Sequence, residues 1–160
     1  MAENATQFDL MRSFPKMCTR FWQNHPSILV LRITMSQTIL VAEDQQHIRA
    51  LVEYKLKNSG FQVVTVEDGK AALMKAEEII PDLILLDVMM PLMTGFEVLS
   101  ALKKNAKTKN IPVLMVTAQS KEDEVLKGLE LGADDYITKP FSPNELAARI
   151  KTTLLRRGKK

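Results

Sequence analysis

Several apolar runs in this chain, each typical of a buried strand, end in a polar side chain. The run at residues 83–86 is followed at once by Asp87, whose carboxylate is costly to bury without a cationic partner. The other polar positions behind such runs are Glu43, Asp44, Thr117 and Lys139. Clustered carboxylates favour a hard divalent cation, Mg²⁺ rather than Zn²⁺, and that cation also binds phosphate oxygens. Lysine and a hydroxyl suit a phosphate ligand, so Asp87 can be the nucleophile of a phosphoryl transfer.

These side chains meet only if the elements that carry them end at one edge of a sheet. From Thr38 onward, short apolar runs alternate with segments of helical period, which is typical of parallel strands joined by crossover helices. The predicted strands are Thr38–Ala42, Gln62–Val66, Leu83–Leu86, Pro112–Val116 and Tyr136–Thr138. We therefore predict an α/β fold with a doubly wound, five-stranded parallel sheet and helices on both faces. If the strand order is 2-1-3-4-5, strands one, three, four and five are neighbours and the polar strand ends converge.

Five amphipathic helices are predicted between and after the strands. Gly60 and Gly132 are placed to end helices, and Ser142 precedes Pro143 as the N-cap of the last helix. The apolar stripes expected to face the sheet are Ile48, Leu51, Val52 and Leu56; Leu73, Ala76 and Ile80; Val98, Leu99 and Leu102; Val125, Leu126 and Leu129; Leu146, Ile150 and Leu154.

Composition predicts one domain, because 160 residues with 46% hydrophobic content can bury one substantial core. Residues 1–36 have no sustained period and stay unassigned, either as a real extension or as a start codon placed upstream of Met35. The net charge of +3 comes mostly from this segment, which argues against a nucleic-acid surface. A lone Cys18 and the lack of a membrane-length apolar run predict a cytoplasmic protein. His25 and His47 are expected to be solvent-exposed.

Residues 37–157 resemble the receiver domain of response regulators in two-component signalling, a flavodoxin-like fold similar to chemotaxis regulators. The motifs that carry this resemblance are Glu43-Asp44, Asp87 with Met89-Met90-Pro91 and Gly95, Thr117-Ala118, and Asp135-Tyr136-Ile137-Thr138-Lys139-Pro140-Phe141. The steps of 30 residues from Asp87 to Thr117 and of 22 from Thr117 to Lys139 also resemble that family. The joint order and spacing of these motifs is far more specific than any one of them.

The resemblance implies a role for each matching position in the acidic region. Asp87 would accept a phosphoryl group from a phosphohistidine on a sensor histidine kinase or a histidine phosphotransfer protein. Mg²⁺ would be held by Asp44, Asp87 and the backbone carbonyl of Met89, with Glu43 helping directly or through water.

The resemblance also implies a switch on the other side of the acceptor. Lys139 would pair with the phosphoryl group, Thr117 would move to bond it, and Tyr136 would swing inward. The Lys139-Pro140 bond is expected to be cis, which proline makes cheap. The surface remodelled by this switch would comprise the fourth helix, the fifth strand and the fifth helix, and it would dock a downstream effector.

The leading hypothesis is a phosphorylation-controlled interaction module, monomeric or dimerising on phosphorylation, that is not an enzyme beyond its own phosphoryl chemistry. It would bind neither nucleic acid nor a membrane directly, since only the basic tail 158–160 is expected after the domain. The alternative is the receiver half of a winged-helix transcription regulator, because residues 132–157 resemble that subgroup. Val125 opposes this alternative, since the subgroup usually places a basic residue there.

Two other classes are disfavoured by single positions. A phosphatase with an aspartyl-phosphate intermediate would need a second aspartate two residues after Asp87, where this chain has Met89. A flavin-binding protein would need backbone and hydroxyl donors after the first strand, where this chain has the acids Glu43 and Asp44.

Overall fold

A computed structural model describes residues 36–118, 126 and 128–157 of the chain. The predictions for residues 1–35, for Val125 and for the tail 158–160 fall outside these described residues. The predicted boundaries of the domain, 37 and 157, therefore stay predictions.

The five predicted strands are present and form one parallel sheet. Their bounds are β1 (Thr38–Ala42), β2 (Gln62–Val66), β3 (Leu83–Asp87), β4 (Val113–Ala118) and β5 (Asp135–Lys139). The order is β2-β1-β3-β4-β5, so the predicted topology is confirmed. The three later strands reach one or two residues further than predicted, because the polar strand ends themselves join the ladder.

Helices follow the strands, and side-chain caps mark the start of α3 and of the C-terminal helix. Their bounds are α1 (Gln46–Asn58), α2 (Gly69–Ile79), α3 (Gly95–Lys104) and a C-terminal helix (Pro143–Arg157), with further helical residues at 126 and 128–130. Thr94 and Glu97 form a reciprocal capping box at the start of α3. The predicted Ser142 cap of the C-terminal helix is also present, its hydroxyl accepting from the Glu145 amide at 3.0 Å.

The core is divided by the sheet into two layers, as a doubly wound fold requires. Alternate β1 residues go to opposite layers: Leu40 packs with residues of α2 and α3, and Ile39 packs with residues of α1 and the C-terminal helix. All five residues of β3 are buried. This central strand therefore delivers Asp87 from the middle of the core to its carboxyl edge.

Four predicted stripe residues do not face the core. Leu51 is 50% exposed on α1, Leu126 is 60% exposed and Leu129 is 45% exposed. Ile80 is the residue that ends α2, in a left-handed conformation with φ of 44°, and it is 47% exposed. The helical residues after β4, and α1 and α2 at one position each, therefore bury a narrower stripe than their apolar spacing indicates, whereas the predicted stripe of α3 is fully buried. Among the described residues, no helix combines the length and apolar character that crossing a membrane requires.

Candidate functional site

Two neighbouring strands bring the acidic residues to the same edge of the sheet. β3 ends at Asp87, and β1 ends at Ala42, directly before Glu43 and Asp44. Ala42 is paired with Leu86, and both strands run in the same direction. The three carboxylates therefore leave the sheet side by side at its carboxyl edge, where parallel α/β sheets bind ligands.

The three carboxylates form a compact oxygen cluster. One oxygen from each of Glu43, Asp44 and Asp87 lies within 4.8 Å of the others. Glu43 and Asp87 are only 3% and 4% exposed, whereas Asp44 is open to solvent. An all-oxygen donor set with one solvent-facing member fits Mg²⁺, which prefers carboxylates and keeps several of its waters.

Lys139 reaches this cluster from β5, two strands away from β3. Its Nζ lies 2.8 Å from Asp87 Oδ2 and 2.8 Å from Glu43 Oε2. The ammonium group is therefore shared between the two buried carboxylates. The Lys139-Pro140 peptide bond directly after it is cis, as the resemblance implied.

Burial and the shared lysine shift the protonation equilibria of the cluster. Burial and repulsion from Asp87 raise the pKa of Glu43 above its ordinary value, although the Lys139 hydrogen bond opposes this shift. Burial by itself lowers the pKa of Lys139, but the hydrogen bonds to Asp87 and Glu43 outweigh it and raise that pKa. Lys139 is therefore held as a fixed positive charge at neutral pH.

The backbone directly after Asp87 folds back tightly on itself. The Gly95 amide donates to the Val88 carbonyl at 3.0 Å, and a Cβ on Gly95 would collide with the Asp87 carbonyl oxygen. The Met89 amide donates to Asp87 Oδ1 at 3.3 Å, and its side chain is 63% exposed. Gly95 therefore allows the turn that places the Met89 backbone beside the Asp87 carboxylate.

Thr117 and Tyr136 lie together on the neighbouring strands. Thr117 follows Val116, which is paired with Asp87, and Tyr136 is paired with Met115 one strand further along. Thr117 is 2% exposed, and its hydroxyl donates to the Ala118 carbonyl at 3.2 Å. Thr117, Tyr136 and Val88 line the same small cavity. A rearrangement of the Thr117 side chain would therefore change the space available to Tyr136, and the reverse also holds.

Two contacts of the site were not predicted from the sequence. Glu43 was expected only to help hold a metal, yet it is also a direct partner of Lys139. Arg49 was not singled out, yet its guanidinium donates to the main-chain carbonyls of Glu43 and Asp44. A signal was available for Arg49, since a cation in the first turn of a helix opposes the helix dipole. His47 is exposed, as expected.

Comparison with known proteins identifies the family. The sequence model of the response regulator receiver domain matches residues 39–151. The chain belongs to this family. The receiver domain is similar in structure to the chemotaxis response regulator CheY4 of Vibrio cholerae, with 34% identity, a TM-score of 0.70 and coverage of 74% of this chain and 98% of that one.

The receiver domain is also similar to larger transcriptional regulators. It is 50% identical to the phosphate regulon transcriptional regulatory protein PhoB of Klebsiella pneumoniae over 122 residues, which are 76% of this chain and 53% of that protein. It is 49% identical, over 76% of this chain and 50% of that protein, to the alkaline phosphatase synthesis transcriptional regulatory protein PhoP of Bacillus subtilis. The chain thus spans about half the length of these curated relatives.

Proposed function

We propose that this receiver domain is a signalling switch that accepts a phosphoryl group on Asp87 and thereby changes its affinity for a partner. The donor is a phosphohistidine on a sensor histidine kinase or on a histidine phosphotransfer protein. One observation carries the proposal: the Lys139 ammonium contacts the Asp87 carboxylate at 2.8 Å beside two further carboxylates. Fixed positive charge beside an oxygen nucleophile is what phosphoryl transfer requires.

The transfer exchanges one phosphorus bond for another. An Asp87 carboxylate oxygen attacks phosphorus, the phosphorus–nitrogen bond to the donor imidazole breaks, and the imidazole nitrogen takes up a proton. The product is an acyl phosphate, which water can hydrolyse to restore the carboxylate. Phosphorylation of this kind is reversible, as a signal must be.

The residues around Asp87 have separate proposed roles. Asp44, Asp87 and the backbone carbonyl of Met89 would hold Mg²⁺ with help from Glu43, and the ion would neutralise charge on the phosphoryl oxygens. Lys139 stays bound to Asp87 and binds the incoming phosphoryl oxygens as a point charge.

Thr117 and Tyr136 would carry the signal away from the acceptor. The Thr117 hydroxyl exchanges its bond to Ala118 for one to the phosphoryl group, and Tyr136 turns toward the space that this movement vacates. The side chains Leu126 and Leu129, which are exposed here, lie on the segment that follows β4. The proposed output surface therefore comprises this segment, β5 and the C-terminal helix.

A second candidate is favoured by the relatives. Because transcriptional regulators are about half identical to this domain, the chain would be the receiver part of a DNA-binding regulator. Phosphorylation would then change dimerisation of the receiver and not the docking of an effector protein. Sedimentation of the chain with and without a phosphodonor tests the second candidate, which requires a phosphorylation-dependent dimer. A phosphorylated chain that stays monomeric contradicts the second candidate, whereas the first is compatible with either result.

The test of the acceptor is incubation of the full chain with Mg²⁺ and acetyl phosphate, followed by intact-mass measurement. Wild type should gain one phosphoryl group, and Asp87→Asn should gain none. Asp82→Asn is a matched control, because Asp82 is an exposed acid directly before the opposite end of the same strand. Labelling that persists in Asp87→Asn, or is lost in Asp82→Asn, would show that the acceptor has been assigned wrongly.

A further inference from the structure

Arg49 makes contacts that the proposed phosphoryl chemistry does not use. Its Nη1 donates to the main-chain carbonyl oxygen of Glu43 at 2.6 Å and to that of Asp44 at 3.0 Å. Its Nη2 lies 3.5 Å from Glu67 Oε2. The Arg49 side chain is 17% exposed and that of Glu67 is 75% exposed. An ion pair with so exposed a partner contributes little, so the two carbonyl contacts are the substantial ones.

The local helix does not explain an arginine at this position. Arg49 lies in the first turn of α1. That turn has no acidic residue, and the N-cap of the helix, Gln45, makes no side-chain capping bond. A cation there faces the positive end of the helix dipole, which is unfavourable. The carbonyl oxygens of Glu43 and Asp44 therefore hold the Arg49 guanidinium in place despite the unfavourable helix dipole.

We propose that Arg49 is a positioning residue for the cation site. By holding two successive carbonyl oxygens, it fixes the backbone from which the Glu43 and Asp44 carboxylates project. Asp44 depends on this most, because its side chain is exposed and has no packed surroundings to orient it. Without Arg49, the turn must be ordered when the cation binds, and that ordering lowers affinity. The inference rests on the proposed magnesium site.

The charge of Arg49 and its position predict effects of opposite sign. A cation near three carboxylates repels Mg²⁺, so an Arg49 that acted through charge alone would weaken binding, and its removal would tighten it. An Arg49 that orders the turn strengthens binding, and its removal loosens it. An arginine that only stabilised the fold would change the unfolding temperature and leave the affinity for Mg²⁺ unaltered.

The test is a titration of the full chain with Mg²⁺, without phosphodonor, followed through the amide NMR shifts of residues 43–49. Arg49→Met should raise the Kd for Mg²⁺ about tenfold, the lower end of what lost outer contacts cost at metal sites. Arg49→Lys should raise it less, because an ammonium group can replace the two carbonyl contacts of Nη1 but lacks the rigid planar guanidinium that fixes their direction. Glu67→Gln is the matched control, since it touches the same guanidinium, and it should leave the Kd unchanged.

An unchanged or lower Kd in folded Arg49→Met overturns this inference. If circular dichroism shows that Arg49→Met is unfolded, Arg49→Lys decides, and a Kd equal to that of wild type has the same meaning. The proposed function fails separately: wild type would bind Mg²⁺ but gain no phosphoryl group on Asp87 from acetyl phosphate. Wild type that is phosphorylated, with no loss of Mg²⁺ affinity in the Arg49 variants, refutes the positioning role alone.

Discussion

The replacement of Asp87 by asparagine should stabilise the metal-free protein. At an effective dielectric constant of about 20, two charges at the 4.8 Å limit of the cluster repel by about 3.5 kcal/mol. The repulsion between Asp87 and buried Glu43 has this full value, and the repulsion between Asp87 and exposed Asp44 is weakened by solvent. The total repulsion on the Asp87 charge is therefore about 4 to 7 kcal/mol. With the same constant, its attraction to Lys139 at 2.8 Å is about 6 kcal/mol.

These two contributions nearly cancel, so the burial of the Asp87 charge decides the outcome. Asp87 is 4% exposed, and removing a carboxylate from water costs several kcal/mol, of which a neutral amide bears only a part. The asparagine oxygen can still accept from Lys139. We therefore expect Asp87→Asn to raise the free energy of unfolding by about 1 to 3 kcal/mol in the absence of metal.

Urea unfolding of both proteins in EDTA and in excess Mg²⁺ measures this difference. Mg²⁺ should stabilise wild type, by about 2.7 kcal/mol at one hundred times its Kd, and have little effect on the variant. Lys139→Met tests the opposite sign, because breaking a buried pair on one side costs about 3 to 5 kcal/mol. If Asp87→Asn were less stable than wild type in EDTA, the charge balance described above would be wrong.

Three further predictions concern single positions. The pKa of Lys139 is raised in the folded protein, so its charge stabilises the fold fully below the unfolded-state pKa of 10.5. The metal-free protein should therefore lose stability as the pH rises above 10.5 and through the folded-state pKa. Urea unfolding across this pH range measures the loss, which should be absent in Lys139→Met. Gly95→Ala should cost about 3 kcal/mol in urea unfolding, since its Cβ meets backbone, whereas Gly128→Ala, whose nearest atoms are at ordinary distance, should change stability little. Leu92→Asn should raise the melting temperature by relieving about 1 kcal/mol of left-handed strain at φ of 64°, because the 82% exposed leucine packs against little; a lower melting temperature would contradict this reasoning.

The sheet was predictable because its strands carry a strong and simple signal. Leu83-Ile84-Leu85-Leu86 is apolar on both faces, as a central parallel strand must be, and the polar residue behind it marks the strand end. Given the strand order 2-1-3-4-5, the meeting of Glu43, Asp87 and Lys139 then follows from the rule that parallel strands end at one carboxyl edge. The side chains near Asp87 were therefore predicted without coordinates.

Contacts to the main chain were beyond the reach of the sequence. The position of Arg49 in the first turn of a helix marks it as unusual, but it binds carbonyl oxygens, which every residue carries, so residue types do not identify its partners. The prediction that Leu129 faces the sheet was wrong for a different reason. Apolar spacing indicates which face of a helix is apolar, but not how much of that face the sheet covers. Both failures concern what a side chain touches, and neither concerns where its element lies.

If Asp87 is phosphorylated as proposed, the charge balance of the pocket explains why Thr117 would move. Three carboxylates and Lys139 leave a charge of about −2, which one Mg²⁺ neutralises. Phosphorylation of Asp87 replaces a singly charged carboxylate by a group of charge near −2, so about one negative charge is left without a partner. The buried Thr117 hydroxyl, which donates to the adjacent Ala118 carbonyl, lies one residue beyond the β4 partner of Asp87. A hydroxyl that can exchange a neutral acceptor for an anionic one gains a stronger hydrogen bond, and this gain is the force that would shift the switch.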